Sequence, residues 1–354
     1  MCIQNKNIIV ALLPLLIFLR MNAMIQFWLD KLKTHETIRY FDKINLIIYA
    51  YQVIYICYGV DNMRISYQMA PEKSVGLLYI LIFMMNGGSL TLVNYIWDSL
   101  RNNKFLQLLQ KYYFLDKRLR ENDIHLDYEK LRNYSACIIV LESFCYILFN
   151  LHTIINYWMF GLNYLQIFFI FVYFTGLHMM QVAMTAKSCT LFMIVENMCG
   201  HMNKKMKSEV TTVELISKMR SLYSDIYDLV LDLNDAISFQ IVVPFCVTFI
   251  MAVFHIYYEI KFSFFGAPAL TWITVIIIKI FLVIIQIQKT LLAAKKIKET
   301  TVKLSLVKDK FVRREINIFF LQLLHQEINV TGAKMFEINV SLIGQVNVHL
   351  EIQV

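Results

Sequence analysis

A chain of 354 residues in which 58% of positions are apolar and 17% charged departs from the soluble average of roughly 48% and 25%, and one soluble core cannot bury that excess. Ten Gly and four Pro leave few turn signals, which excludes a β-rich or linker-rich chain and favours long helices in a single domain over residues 1–354. The net charge of +8 comes without a base-stacking aromatic pattern, so no nucleic-acid partner is expected.

In chain order, residues 8–19 form a short apolar run ending at Arg20. Too short to span, it predicts an amphipathic helix on the inner leaflet. Residues 44–60, 75–97, 135–160, 164–186, 236–258 and 266–288 are six apolar stretches at or near the ~20 residues that cross hydrocarbon. Inside lipid each backbone polar group must be paired within its own element, so they are read as helices. Residues 335–354 have the length of a seventh span but carry Glu337, Gln345, Asn347, His349 and Glu351; the expectation is a short, degenerate last span. The fold class is therefore an all-α polytopic membrane bundle of seven spans.

Lys and Arg set the orientation. Segments 1–43, 98–134, 187–235 and 289–334 hold six, eight, six and ten of them, whereas the alternate loops hold only Arg64, Lys73 and Lys261. Basic loops stay in the cytoplasm, so the N-terminus is inside. That sign excludes a G-protein-coupled receptor, whose N-terminus is outside.

Three cytoplasmic segments, 98–134, 187–235 and 289–334, carry apolar residues at intervals of three and four. The first stripe is Phe105, Leu108, Tyr112, Leu115 and Leu119. The second is Ile216, Met219, Tyr223, Ile226, Val230 and Leu233, with Asp225, Asp228 and Asp232 off it. The third is Val312, Ile316, Phe319, Phe320 and Leu323. Each edge must be covered, either within one subunit or in a bundle between subunits; both coverings remain open. Ile216, Met219, Tyr223, Ile226, Val230, Leu233, Phe319 and Leu323 are the candidate assembly residues.

No phosphate-binding, dinucleotide, zinc-protease or nucleophile-elbow motif is present, and the chain is not read as an enzyme. The seven Cys are scattered and the eight His show no metal-binding spacing, so no metal or cofactor is expected. Glu142, Lys279, His152 and His178 lie inside candidate spans, where ionisable groups are costly and face a cavity or a partner. His152 and His178 are the candidate ligand-pocket residues. The aromatic run 167–174 either lines a pocket or faces lipid.

Seven spans with the N-terminus inside, a basic 98–134 segment and a long helix before the fifth span resemble the insect gustatory receptor family. The segment Phe319-Phe320-Leu321-Gln322-Leu323-Leu324-His325-Gln326 is similar to the family's helix before the last span. Phe336-Glu337-Ile338-Asn339-Val340-Ser341-Leu342-Ile343 resembles the start of that span, and Ala11-Leu12-Leu13-Pro14-Leu15-Leu16 the family's opening. The chain departs at Lys334, where the family has Gly, and at its end, where only Gln353 fits the family signature. The resemblance implies a ligand-gated cation channel in the sensory-neuron plasma membrane, detecting small-molecule tastants as a homo- or hetero-tetramer. Phe336, Glu337, Ile338, Asn339, Ser341 and Leu342 would begin the pore helix, and the striped segments would anchor the subunits. The alternatives are an odorant receptor of the same superfamily, a truncated non-conducting receptor, or a transporter.

Overall fold

A computed structural model describes residues 8–21, 90–159, 164–262, 266–332 and 336–338. The predicted stretches 44–60 and most of 75–97 lie outside these. The described helices are α1 (Ile8–Met21), α2 (Leu90–Glu121), α3 (Tyr128–Met159), α4 (Tyr164–Ser208), α5 (Val213–Phe262), α6 (Gly266–Leu304) and α7 (Lys310–His325). A small antiparallel hairpin follows, β1 (Thr331–Gly332) with β2 (Phe336–Glu337), pairing Thr331 with Glu337 and Gly332 with Phe336.

Length explains the architecture. At about 1.5 Å per residue, the 45, 50 and 39 residues of α4, α5 and α6 greatly exceed the roughly 30 Å of bilayer hydrocarbon. Each is one rod whose apolar half matches a predicted span and whose charged half continues below the membrane. Among the described residues, Tyr128–Leu148 and Ile277–Leu304 are themselves long and apolar enough to cross a bilayer.

α4 is the central rod, packed against α6, α3, α5 and α1. From residue 181 to residue 195 every position is buried, so this stretch of the helix has protein on all sides. The three predicted stripes are also buried, and all within one chain. That holds for Phe105, Leu108, Tyr112, Leu115 and Leu119 on α2, and for Ile216 through Leu233 on α5. On α7, Val312, Ile316, Phe319 and Leu323 are buried and Phe320 is half-buried.

Turn chemistry fixes the helix ends. α2 stops with Asp123 in the left-handed region (φ 53°), while Ile124 N–H donates to Leu119 O and Asp123 N–H to Arg120 O. This is a Schellman motif sealed by buried Leu119 and Ile124. Asp127 and Asp309 accept from the first-turn amides of α3 and α7, and Thr212 does so for α5.

α1 departs from expectation. Ile8, Ala11, Leu12, Leu15, Leu16 and Leu19 are buried against α3, α4 and α2, so its apolar face rests on protein rather than on the inner leaflet. Its N-terminus also meets an acceptor. The fully buried Asp116 of α2 accepts from Tyr128 Oη at 2.7 Å and from the Ile8 backbone N–H, one of the donors a helix leaves unpaired at its start. Arg120 lies 3.4 Å away.

Burial holds the Asp116 carboxyl above the ordinary carboxylate range, although Tyr128, Arg120 and Ile8 pull the other way. An acid raised on folding binds its proton more tightly in the folded state, so stability rises as pH falls through the folded value. Thermal unfolding of the detergent-solubilised protein is expected to show this gain on acidification from neutral pH, and Asp116→Asn to remove it. Asp116→Ala leaves the buried Ile8 amide and the half-buried Tyr128 hydroxyl without an acceptor and is expected to cost about 3 kcal/mol, at about 1–3 kcal/mol per group. Equal stabilities for the three proteins across pH would refute this role of Asp116.

Candidate functional site

On α3, Leu131, Ser135, Ile138, Glu142, Tyr146 and Asn150 recur at intervals of three and four and are all buried. The edge turned to the bundle is therefore polar at four of six positions. α4 answers with Thr175, His178, Gln181 and Thr185, and α6 with Lys279, Gln286 and Thr290. In an apolar interior each of these groups needs a partner.

Most find one across the helix interfaces. Tyr146 Oη and Lys279 Nζ both donate to Gln181 Oε1, each at 3.1 Å. The Tyr146 ring stacks on His178, centroids 4.4 Å apart and 16° between planes. His178 Nδ1 lies 3.0 Å from Asn150 Oδ1; an amide oxygen only accepts, so Nδ1 carries the proton. Asn150 Nδ2 then donates to Thr175 Oγ1 at 3.1 Å. Glu142 is 8% exposed, and neither carboxyl oxygen has a hydrogen-bond partner.

The seam continues inward. Tyr134 Oη donates to Gln286 Oε1 at 2.9 Å, and Gln286 Nε2 donates to Glu196 Oε2 at 2.7 Å. Thr290 Oγ1 donates to Phe192 O and Thr300 Oγ1 to Asn203 Oδ1. The α4–α6 partners Gln181 and Lys279, Phe192 and Thr290, Asn203 and Thr300 are separated by 98, 98 and 97 residues. A constant offset means that two parallel rods keep one register throughout.

Of the predicted pocket residues, His178 joins this network, and its Nδ1 is committed to Asn150. The side chain of His152 lies outside the described residues. Glu142 and Lys279 are legible as costly intramembrane groups. Gln181, Tyr146 and Asn150 escape a sequence reading that singles out charge, although their spacing was the available signal. A separate groove of about 240 Å³ lies between α2 and α5. Its Lys111 and Arg118 are already paired with Asp232 and Asp225.

Below the membrane, the eight candidate assembly residues are placed inside their own subunit. Ile216, Met219, Tyr223, Ile226, Val230, Leu233, Phe319 and Leu323 are buried within the chain. Tyr223 meets Phe319 edge-on at 6.0 Å and donates to Gln326 O at 3.0 Å. α7 has a second apolar edge that the sequence reading did not isolate: Phe311, Ile318, Leu321 and Leu324 are exposed.

The segment leading to the last predicted span is held from α5. Asn234 Oδ1 accepts from Thr331 N–H at 3.0 Å and Asn234 Nδ2 donates to Thr331 Oγ1 at 3.1 Å. Ile338 N–H donates to Val330 O at 2.8 Å. Phe336 and Glu337, expected to open the pore helix, are extended in β2, where they pair with Gly332 and Thr331 and Ile338 N–H bonds Val330 O. Ile338 is buried; Asn339, Ser341 and Leu342 lie outside the described residues.

Residues 12–347 match the family described as 7tm Chemosensory receptor, in agreement with the seven spans read from hydropathy. The fold is similar to that of the insect olfactory receptor OR5 from Machilis hrabei, with a TM-score of 0.68 and 13% identity over 96% of each chain. It is similar to the same receptor in complex with eugenol, with a TM-score of 0.64 and 12% identity over 96% of this chain and 95% of that one. None of the curated proteins matches the chain in sequence.

The Asn234 clamp is directly testable by amide hydrogen exchange. Losing two hydrogen bonds of about 1 kcal/mol each corresponds to roughly 30-fold faster exchange at Thr331 and its hairpin neighbours. That is expected for Asn234→Leu. Asn234→Asp keeps an acceptor for both Thr331 donors and is expected to retain protection. Unchanged exchange in Asn234→Leu would remove the clamp from the account.

Proposed function

This chain belongs to the 7tm chemosensory receptor family, and we propose that it is a subunit of a ligand-gated cation channel detecting small-molecule tastants at the sensory-neuron plasma membrane. The observation that carries the reading is the family match over nearly the whole chain. The polar seam supports it, because a hydrogen-bonded cluster between spans is a place where a small ligand gains specificity. The OR5 receptor, of similar fold, has been solved in complex with eugenol, which supports a small organic ligand here. The Phe336-Glu337-Ile338-Asn339 stretch supports the gustatory branch.

Assembly follows from the exposed edge of α7. An edge of Phe311, Ile318, Leu321 and Leu324 in water is an unfavourable surface for a lone subunit and a suitable one for a symmetric ring. We place the contacts of a homo- or hetero-tetramer there. Ligand binding would bias closed against open by its difference in affinity for the two states.

The test is expression of the chain alone in oocytes, voltage clamp under a panel of sugars, bitter compounds and amino acids, and subunit counting in nanodiscs. The reading expects tastant-evoked cation current and four subunits. Ile318→Glu combined with Leu321→Glu is expected to shift the protein to monomers and abolish the current. Stable monomers of the unmodified chain that conduct under no tastant, alone or with related receptors, would overturn the reading.

A further inference from the structure

We propose that Glu142 and Lys279 form a receptor for the hydroxyl group of a small neutral molecule, between α3, α4 and α6 at mid-bundle. The proposal rests on the reading of the chain as a small-molecule receptor and names the chemistry that one site selects. Its starting point is the orphaned carboxyl. Glu142 is 8% exposed, sits within a span, and has no hydrogen-bond partner on either oxygen. A buried carboxyl without partners is among the costlier arrangements in a bundle of this kind.

The surroundings define what fits. Lys279 lies within electrostatic reach of Glu142, but the two do not touch: Nζ donates to Gln181 instead, leaving two of its three N–H groups for another acceptor. The neighbouring Tyr146, Gln181, His178, Asn150 and Thr175 are linked to one another in one chain of contacts. They fix the site without reading its occupant. One helical turn inward from each charged residue, Ile138 and Val283 are buried and apolar, so the occupant's skeleton meets hydrocarbon.

With Glu142 as carboxylate and Lys279 as ammonium, the pair is neutral overall and presents acceptors on one side and donors on the other. A cationic ligand that pairs with Glu142 is left facing the Lys279 charge, and an anionic one that pairs with Lys279 is left facing Glu142. An ether accepts but does not donate, so it leaves the carboxyl unpaired. A hydroxyl does both in one atom group: its O–H donates to the Glu142 carboxyl while its oxygen accepts from Lys279. The chemical class is therefore a neutral alcohol or phenol with an apolar body.

The experiment compares matched pairs, benzyl alcohol with benzyl methyl ether and 1-hexanol with methyl pentyl ether, on the full chain in lipid nanodiscs. Binding is read from the concentration dependence of the thermal midpoint, and the ethers control for partition into lipid. The expected result is tighter binding of each alcohol than of its ether. That preference is expected to fall roughly tenfold or more in E142L and, independently, in K279M. Equal effects of alcohol and ether on the unmodified chain would overturn the proposal, as would a preference that persists in both variants. A site filled by water alone belongs to the first of these results. The outcome is separable from the channel reading. Alcohol binding that depends on Glu142 without any current keeps the site and removes the channel, whereas tastant current without alcohol preference does the reverse.

Discussion

Enclosure of the middle of α4 on every side is the constraint from which the rest follows. Fifteen consecutive positions, residues 181–195, are buried, and they include Gln181, Thr185, Lys187, Ser188 and Thr190. A helix with one wet face can turn such residues to water; this stretch cannot, so partners come from the protein: Thr185 bonds back to Gln181 O, and neighbouring helices supply others. Lys187 lies 4.9 Å from the Phe105 ring centroid, Gln181 takes Tyr146 and Lys279, and the Phe192 carbonyl takes Thr290. Each tie fixes a register, and together they align α3 antiparallel and α6 parallel to the central rod.

The same rods carry that alignment out of the membrane. α5 is a single 50-residue helix that includes a predicted span, the buried stripe from Ile216 to Leu233 and the Asn234 clamp on Thr331. Its acidic edge is matched to α2 by Lys104–Asp235, Lys111–Asp232 and Arg118–Asp225. These pairs are largely exposed, and pairs of that kind contribute about 0–1 kcal/mol each, so they align the helices more than they stabilise them. Stability below the membrane comes from the three covered stripes, and the segment before the last span is placed by two hydrogen bonds from one amide.

Periodicity made much of this legible. The stripes named from spacing on α2 and α5 are buried at every position, since amphipathic spacing is a local property of one helix. What covers them is not local. The sequence left covering within a subunit and between subunits both open, and the structure closes these edges within one chain while exposing Phe311, Ile318, Leu321 and Leu324 on the other side of α7. The N-terminus of α1 meets Asp116, more than a hundred residues away in sequence. Glu142 and Lys279 were legible because charge inside a span is costly. Tyr146, Gln181 and Asn150 were not, because neutral polar residues acquire meaning only when three helices bring them to one level. Phe336 and Glu337 were expected to begin the pore helix on the resemblance, whereas the pairing with Gly332 and Thr331 that extends them is invisible to hydropathy.

The account turns on polar ties to the enclosed α4 setting the register of the bundle. The most direct measurement is a double-mutant cycle on unfolding free energy with Gln181→Leu and Lys279→Met. A tie of this kind predicts that Gln181→Leu costs on the order of 1–2 kcal/mol more in the presence of Lys279 than in the Lys279→Met background. Additivity within about 0.3 kcal/mol would show that the two groups do not sense each other, and would contradict the seam as described.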